Sequence, residues 1–316
     1  MAIVRRNRAR GYHNGHPSSV IPYIGGKFNL IDSIVPILEY AANTYRLHSY
    51  YEMCGGGARM LLNMPVSLFS NRVYNEIHLG LCNLFACLGM KPEVYELMAL
   101  LEDLGVGEDV FLRARHALDY ESRMISVGHS FRLSRVESAA FTFILAMQSR
   151  AADMTSTFDS SRLSDKRRLY SYFKRVSELD LFYPTLADVE VINSDLFALL
   201  DSVAQDDSAL AYIDPPYAPD STLIEKHYGD RSWSMEDHDR LVDRLLGVRA
   251  RVALSGYDSA VYDRLVEAGW RRLYLRTLYV SSSASAGRYN EEYLFLNFDI
   301  PASLEEQVSC FDYGSV

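Results

Sequence analysis

Residues 211–221 read AYIDPPYAPDS. Neither Pro215 nor Pro216 can donate to a sheet ladder, so a strand running into them ends at Asp214. The carboxylate then sits on a backbone with little freedom. Either the stretch is a rigid turn or something must be held still there. Three further stretches share this pattern of polar groups after a short apolar run. SYYEMCGGG (49–57) carries Glu52, Cys54, Gly55 and Gly57; glycines between a strand and a helix let a ligand approach the backbone and the helix N-terminus. Glu76 closes RVYNEI (72–77). An acid there suits the two hydroxyls of a ribose, or is a surface acid. Asp195 closes DVEVINSD (188–195); it could accept from an adenine amino group, or cap the helix that Leu196 opens. Tyr23, Gly26 and Lys27 lie in IPYIGGKF, where the lysine could meet a carboxylate or carbonyl, or stand solvated. The glycines lack both the GxGxxG spacing of a dinucleotide site and the GKS/T of a P-loop. Together the strand-end groups suggest a nucleoside-bearing cofactor with no required pyrophosphate.

The elements that must position these residues alternate. Short apolar strands are expected at 49–57, 72–77, 188–195, 209–214 and 251–256, each followed by a helical pattern. Ser234 and Asp237 have capping-box spacing, and Gly247 stops the helix they open. Residues 270–280 and 291–298 read as a terminal strand pair around SSSASAGRYN. Such alternation implies βαβ units and a mostly parallel, doubly wound α/β sheet, which binds ligands beyond the carboxyl ends of its strands. A helical stripe over Leu30, Ile31, Ile34 and Leu38 contains Pro36, which should kink or end it. Residues 91–187 break the alternation and read as an inserted, mainly helical domain, leaving 1–90 and 188–316 as the alternating domain.

The chain has 316 residues, 48% of them hydrophobic and 23% charged, which are globular values. No apolar run reaches membrane-spanning length, and the basic N-terminus lacks a signal peptide's apolar core; a cytoplasmic monomer is expected. Cys54, Cys82, Cys87 and Cys310 show no metal-ligand spacing and read as reduced, buried thiols; no metal is expected. The net charge of −9 argues against a large nucleic-acid footprint, but residues 5–10 carry four arginines, and residues 111–176 hold twelve Lys/Arg against six Asp/Glu. A local basic face can bind phosphates on an acidic protein. Arg162, Lys166, Arg167 and Arg168 are the candidates, or else a solvated helix face.

In order along the chain, YIGGK, YEMCGGGARMLLN, YNEIHLGLCNLF, NSDLF and YIDPPY resemble the motifs of the Dam-type adenine-N6 DNA methyltransferases. The resemblance covers roughly residues 20–90 and 188–300. It implies a Rossmann-like methyltransferase sheet, S-adenosylmethionine (SAM) as cofactor and double-stranded DNA as partner. It places Tyr23, Gly26, Lys27 and Glu52 to Gly57, Cys54 and Gly55 included, at the methionine end of SAM, Glu76 at the ribose, and Asp195 with Leu196 at the adenine. Met53-Cys54 stands where the family usually has Pro-Phe, Glu76 where it has aspartate, and LSG (254–256) where it has LSN. The family's Gly, Arg and Asn motif after the helix at 136–147 is absent from MQSRAADMTSTFDSS. These departures point to a divergent, phage-like branch.

The resemblance also gives the DPPY turn a chemistry. An adenine amine is a poor nucleophile because its lone pair is conjugated with the ring. Asp214 and the carbonyl of Pro215 would accept its two N–H bonds, Pro216 would hold that carbonyl rigid, and Tyr217 would stack on a base flipped out of the duplex. Cytosine-C5 chemistry needs a Pro-Cys nucleophile, which the chain lacks. Cytosine-N4 enzymes typically carry serine at the position of Asp214, and RNA-adenine or protein-glutamine methylation would fit an NPPY-type motif. A catalytically inactive SAM-fold DNA-binding protein is the alternative from another class.

Overall fold

The computed structural model of the chain describes residues 12–23, 27–151, 153–219, 233–282 and 285–309. Two compact units are present. The first comprises residues 1–28, 57–66 and 83–189, the second 29–56, 67–82 and 190–316.

The first unit holds a small antiparallel pair, β1 (Tyr12–His13) and β2 (His16–Pro17). The turn between them, Asn14-Gly15, has positive φ at both residues, the geometry that favours Asn-Gly. His16 is buried and anchors the pair, with Nε2 2.8 Å from Thr185 Oγ1 and its ring 4.7 Å from that of Phe182. From Lys91 to Leu186 the described elements are helices. The helix Arg135–Gln148 is opened by a Ser134–Glu137 capping box and is buried along most of its length. At its end the buried Gln148 side chain accepts from Gly107 N–H and donates to Gly105 C=O.

In the second unit β3 (Ser49–Glu52), β4 (Asn71–Asn75), β5 (Val189–Ile192), β6 (Ala209–Ile213), β7 (Arg251–Tyr257), β8 (Arg271–Ser282) and β9 (Ser285–Leu296) form one sheet. Its order is β5-β4-β3-β6-β7-β9-β8. The β3–β4, β3–β6 and β6–β7 pairs are parallel; β9 runs antiparallel to β7 and β8. All five residues of β6 are buried, as expected of a parallel strand covered on both faces. Leu199, Leu200 and Val203 of one helix and Leu241, Val242 and Leu245 of another share a core with Ala211, Ile213, Val252, Leu254 and Phe295 of the sheet. Each such fully buried Leu, Val or Ile contributes about 1.5–3 kcal/mol of transfer free energy.

Pro36 does not end its helix, which runs Ile31–Tyr45. Proline there removes one N–H donor to the carbonyl of Asp32. The buried stripe Ile34, Ile37, Leu38 and Ala41 continues past it, and that packing outweighs the one lost bond.

Candidate active site

The carboxyl ends of four neighbouring strands carry four acids. In sheet order β5, β4, β3, β6, Asp195 lies three residues beyond β5, Glu76 one beyond β4, Glu52 ends β3, and Asp214 follows β6. Asn75 ties these ends together. Its Nδ2 donates to the carbonyls of Met53 and Ser194, and its Oδ1 accepts from Ser194 N–H. Asn193 adds a bond from Nδ2 to Glu76 C=O.

Each acid is held differently. Glu76 is buried, not a surface acid. Its Oε2 accepts from Gly56 N–H at 2.9 Å and its Oε1 from His78 N–H at 3.0 Å. Glu52 is also buried and accepts from the Tyr50 hydroxyl; burial and then the Glu52 charge raise that phenol well above its ordinary value. Asp195 caps the helix Leu196–Val203, its Oδ1 accepting from Phe197 and Ala198 N–H; Leu196 is buried at the start of that helix. Cys54, expected to be buried, is a half-buried free thiol beside these acids. Burial first, then the charges of Glu76, Asp214 and Asp195, push its thiol well above the ordinary range.

Pro215 is buried beside the partly exposed Asp214, Pro216 and Tyr217. On β6 the Tyr212 hydroxyl lies 2.9 Å from Ser255 Oγ, and burial, then Asp214, raise it. The Tyr217 hydroxyl donates to Glu292 Oε1 at 2.9 Å, and its ring stacks on Tyr257 at 4.0 Å. The Arg276 Nε and Nη2 donate to Glu292 Oε2, both at 2.8 Å.

The glycines divide by role. A Cβ at Gly55 would stand 2.1 Å from Tyr74 Cε2, so the packing of the Tyr74 ring by itself requires glycine here. Gly56 has φ +47°, and its carbonyl accepts from the Tyr74 hydroxyl. Gly57 belongs to the first unit, where a Cβ would meet Tyr23 Cβ at 3.3 Å and Arg59 Nε at 3.2 Å. Lys27, in the same unit, is only 2% exposed; it is not a solvated lysine. Gly26 lies outside the described residues, as do the arginines at 5–10, residues 220–232 and Cys310. Cys82 and Cys87 are buried free thiols; burial, then Glu76, pushes that of Cys82 up to about 12.

The basic candidates are not equivalent. Arg168 pairs with Asp159, and Arg162 approaches it to 3.7 Å. The Ser161 hydroxyl and then these two cations hold the Asp159 carboxyl below its usual value. Lys166 and Arg167 are exposed on the first turn of the helix Lys166–Val176, which Asp165 caps.

Sequence reasoning overlooked Tyr257, Arg276 and Glu292; Asn75 stood at the strand edge beside Glu76, but its bonds to Met53 and Ser194 were not foreseen. The available signal was Arg276 inside LYLRTLYV and Glu292 beside Glu291 at the start of EEYLFL. Among the described residues no helix is long and apolar enough to cross a membrane, and no group of three or more His, Cys, Asp or Glu could hold a metal ion.

A mostly parallel sheet with acids at adjoining carboxyl ends is the Rossmann-like methyltransferase arrangement. The family model for D12 class N6 adenine-specific DNA methyltransferases matches residues 23–279. The chain belongs to that family. No curated protein matches it.

Proposed function

We propose that the protein transfers a methyl group from SAM to N6 of adenine in double-stranded DNA, acting on a base turned out of the duplex. The observation that carries this reading is the row of four acids on contiguous strand ends, with the Asp-Pro-Pro-Tyr turn on the last of them. SAM suits that donor set. It offers two cations, two ribose hydroxyls and an amino group, and the strand ends offer carboxylates. Glu76 would hold the ribose, Asp195 and Leu196 the adenine, and Glu52, Cys54 and Gly55 the methionine end. Tyr23, Gly26, Lys27 and Gly57 carry the same assignment from the resemblance alone.

Bound SAM supplies a methyl already activated on a sulfonium sulfur. The chain's own residues prepare the acceptor. Asp214 and Pro215 C=O accept the two N–H bonds of the target amine, drawing its nitrogen toward sp³ and exposing the lone pair. The two prolines keep that carbonyl fixed. As the nitrogen becomes cationic, Asp214 stabilises it and takes the departing proton. Tyr217 stacks on the base. Residues 91–187 would carry target recognition, with Lys166 and Arg167 touching phosphates.

The test is nucleoside mass spectrometry of duplex DNA incubated with the protein and SAM. The expected product is N6-methyladenine. Methyl on cytosine N4, or none from folded protein that binds DNA, overturns the reading.

A further inference from the structure

We propose that Glu292, Arg276 and Tyr257 are positioning residues that lock Tyr217 in place. The proposal rests on the reading of Tyr217 as the surface on which the target base stacks.

The four residues meet through the sheet. Glu292 of β9 is the direct cross-strand partner of Tyr257 on β7 and of Arg276 on β8. Directly opposed residues share a sheet face, so Tyr257, Glu292 and Arg276 form a row across three strands. The row exists only because of a bulge. Tyr274 pairs with Tyr293, yet the next pair is Arg276 with Glu292, and Leu275 is passed over. In unbroken register Leu275 would oppose Glu292. Glu292 is fully buried, and a buried carboxylate is costly unless paired and hydrogen-bonded. The bulge brings the guanidinium to it. Both Arg276 contacts fall on Oε2, while Oε1 accepts from the Tyr217 hydroxyl. Tyr257, in the same row, backs the Tyr217 ring at 4.0 Å and 27°.

Tyr217 is thus fixed at its hydroxyl and along one ring face by groups that are not in the Asp-Pro-Pro-Tyr turn. A ring fixed this way presents a preset plane to a flipped base beside Asp214. None of the three positioning residues needs to touch cofactor or DNA.

The experiment measures kcat, the KM for a duplex of mixed sequence lacking adenine methylation, and the Kd for SAM, for wild type, Tyr217→Phe, Glu292→Gln and the double variant. Each single variant is expected to lower kcat by about ten- to a hundredfold, the scale of misplacing a reacting group, with the SAM Kd unchanged. The double variant should be no slower than the slower single one, because both act on the same Tyr217–Glu292 contact. Tyr257→Leu should lower kcat likewise, and Tyr257→Phe, which keeps the ring, should restore most of it. Rates that multiply in the double variant, or a Tyr217→Phe rate equal to wild type, overturn the proposal. So does Tyr257→Phe being as slow as Tyr257→Leu. If Glu292→Gln does not fold, the Tyr217 and Tyr257 variants decide alone. A wild-type protein that methylates no adenine instead overturns the reading of the site, and is recognised before any variant is compared.

Discussion

Asp214 and Gly55 sit at the ends of neighbouring strands and do unlike work. Asp214 is partly exposed after β6, and its proposed partner is the target amine. Asp214→Ala should therefore lower turnover by about a hundredfold or more, the scale of deleting one charged group that stabilises a transition state. Calorimetry should find SAM affinity nearly intact; parallel losses would mean that the carboxylate serves the cofactor. Gly55 read as a glycine for ligand approach, yet the Tyr74 ring fills the place of its Cβ. Gly55→Ala should cost about 1–3 kcal/mol of stability as an overpacked core site. Denaturant unfolding checks it: unchanged stability would mean that the Tyr74 ring yields and that the glycine is needed for ligand approach alone. The types of these residues were legible because polar groups after an apolar strand are conspicuous. Their partners were not. Nothing local to Gly55 announces an aromatic ring nineteen residues later.

Elements were legible where one chemical rule acted alone. The Ser234–Asp237 capping box opens the helix Met235–Leu245, and prolines after Ile213 end β6. They were illegible where tertiary packing overrode a local rule, as at Pro36, or where pairing decided the outcome, as at the Leu275 bulge. The helix Lys166–Val176 is an intermediate case. Its charges were plain in the sequence, but their division between Asp159 and solvent was not. That division makes a prediction. Lys166→Ala with Arg167→Ala should weaken binding to all duplexes alike and flatten the dependence of log K on log salt by about one unit per lost contact. Arg168→Ala should lower stability and leave the slope nearly unchanged, because its charge serves Asp159. Filter binding across a salt series tests both, and an unchanged slope in the double variant would assign this helix face to solvent.

For the whole molecule, alternation of strands and helices made a doubly wound sheet legible, but not its strand order. Pattern shows that a stretch is a strand; which strands adjoin depends on contacts far apart in the chain. The family match over residues 23–279 agrees with the motif order. The strand order has a consequence for how the protein comes into being. β3 is flanked by β4, which follows at once, and by β6, with Ser49 opposite Ala209, 160 positions later. During synthesis β3 and β4 leave the ribosome together while the strand that covers the other edge of β3 is still untranslated. That open edge must be kept from other chains until residue 213 emerges. Only then do Glu52 and Asp214 stand side by side, so each new copy of the protein acquires its reactive edge in one late step.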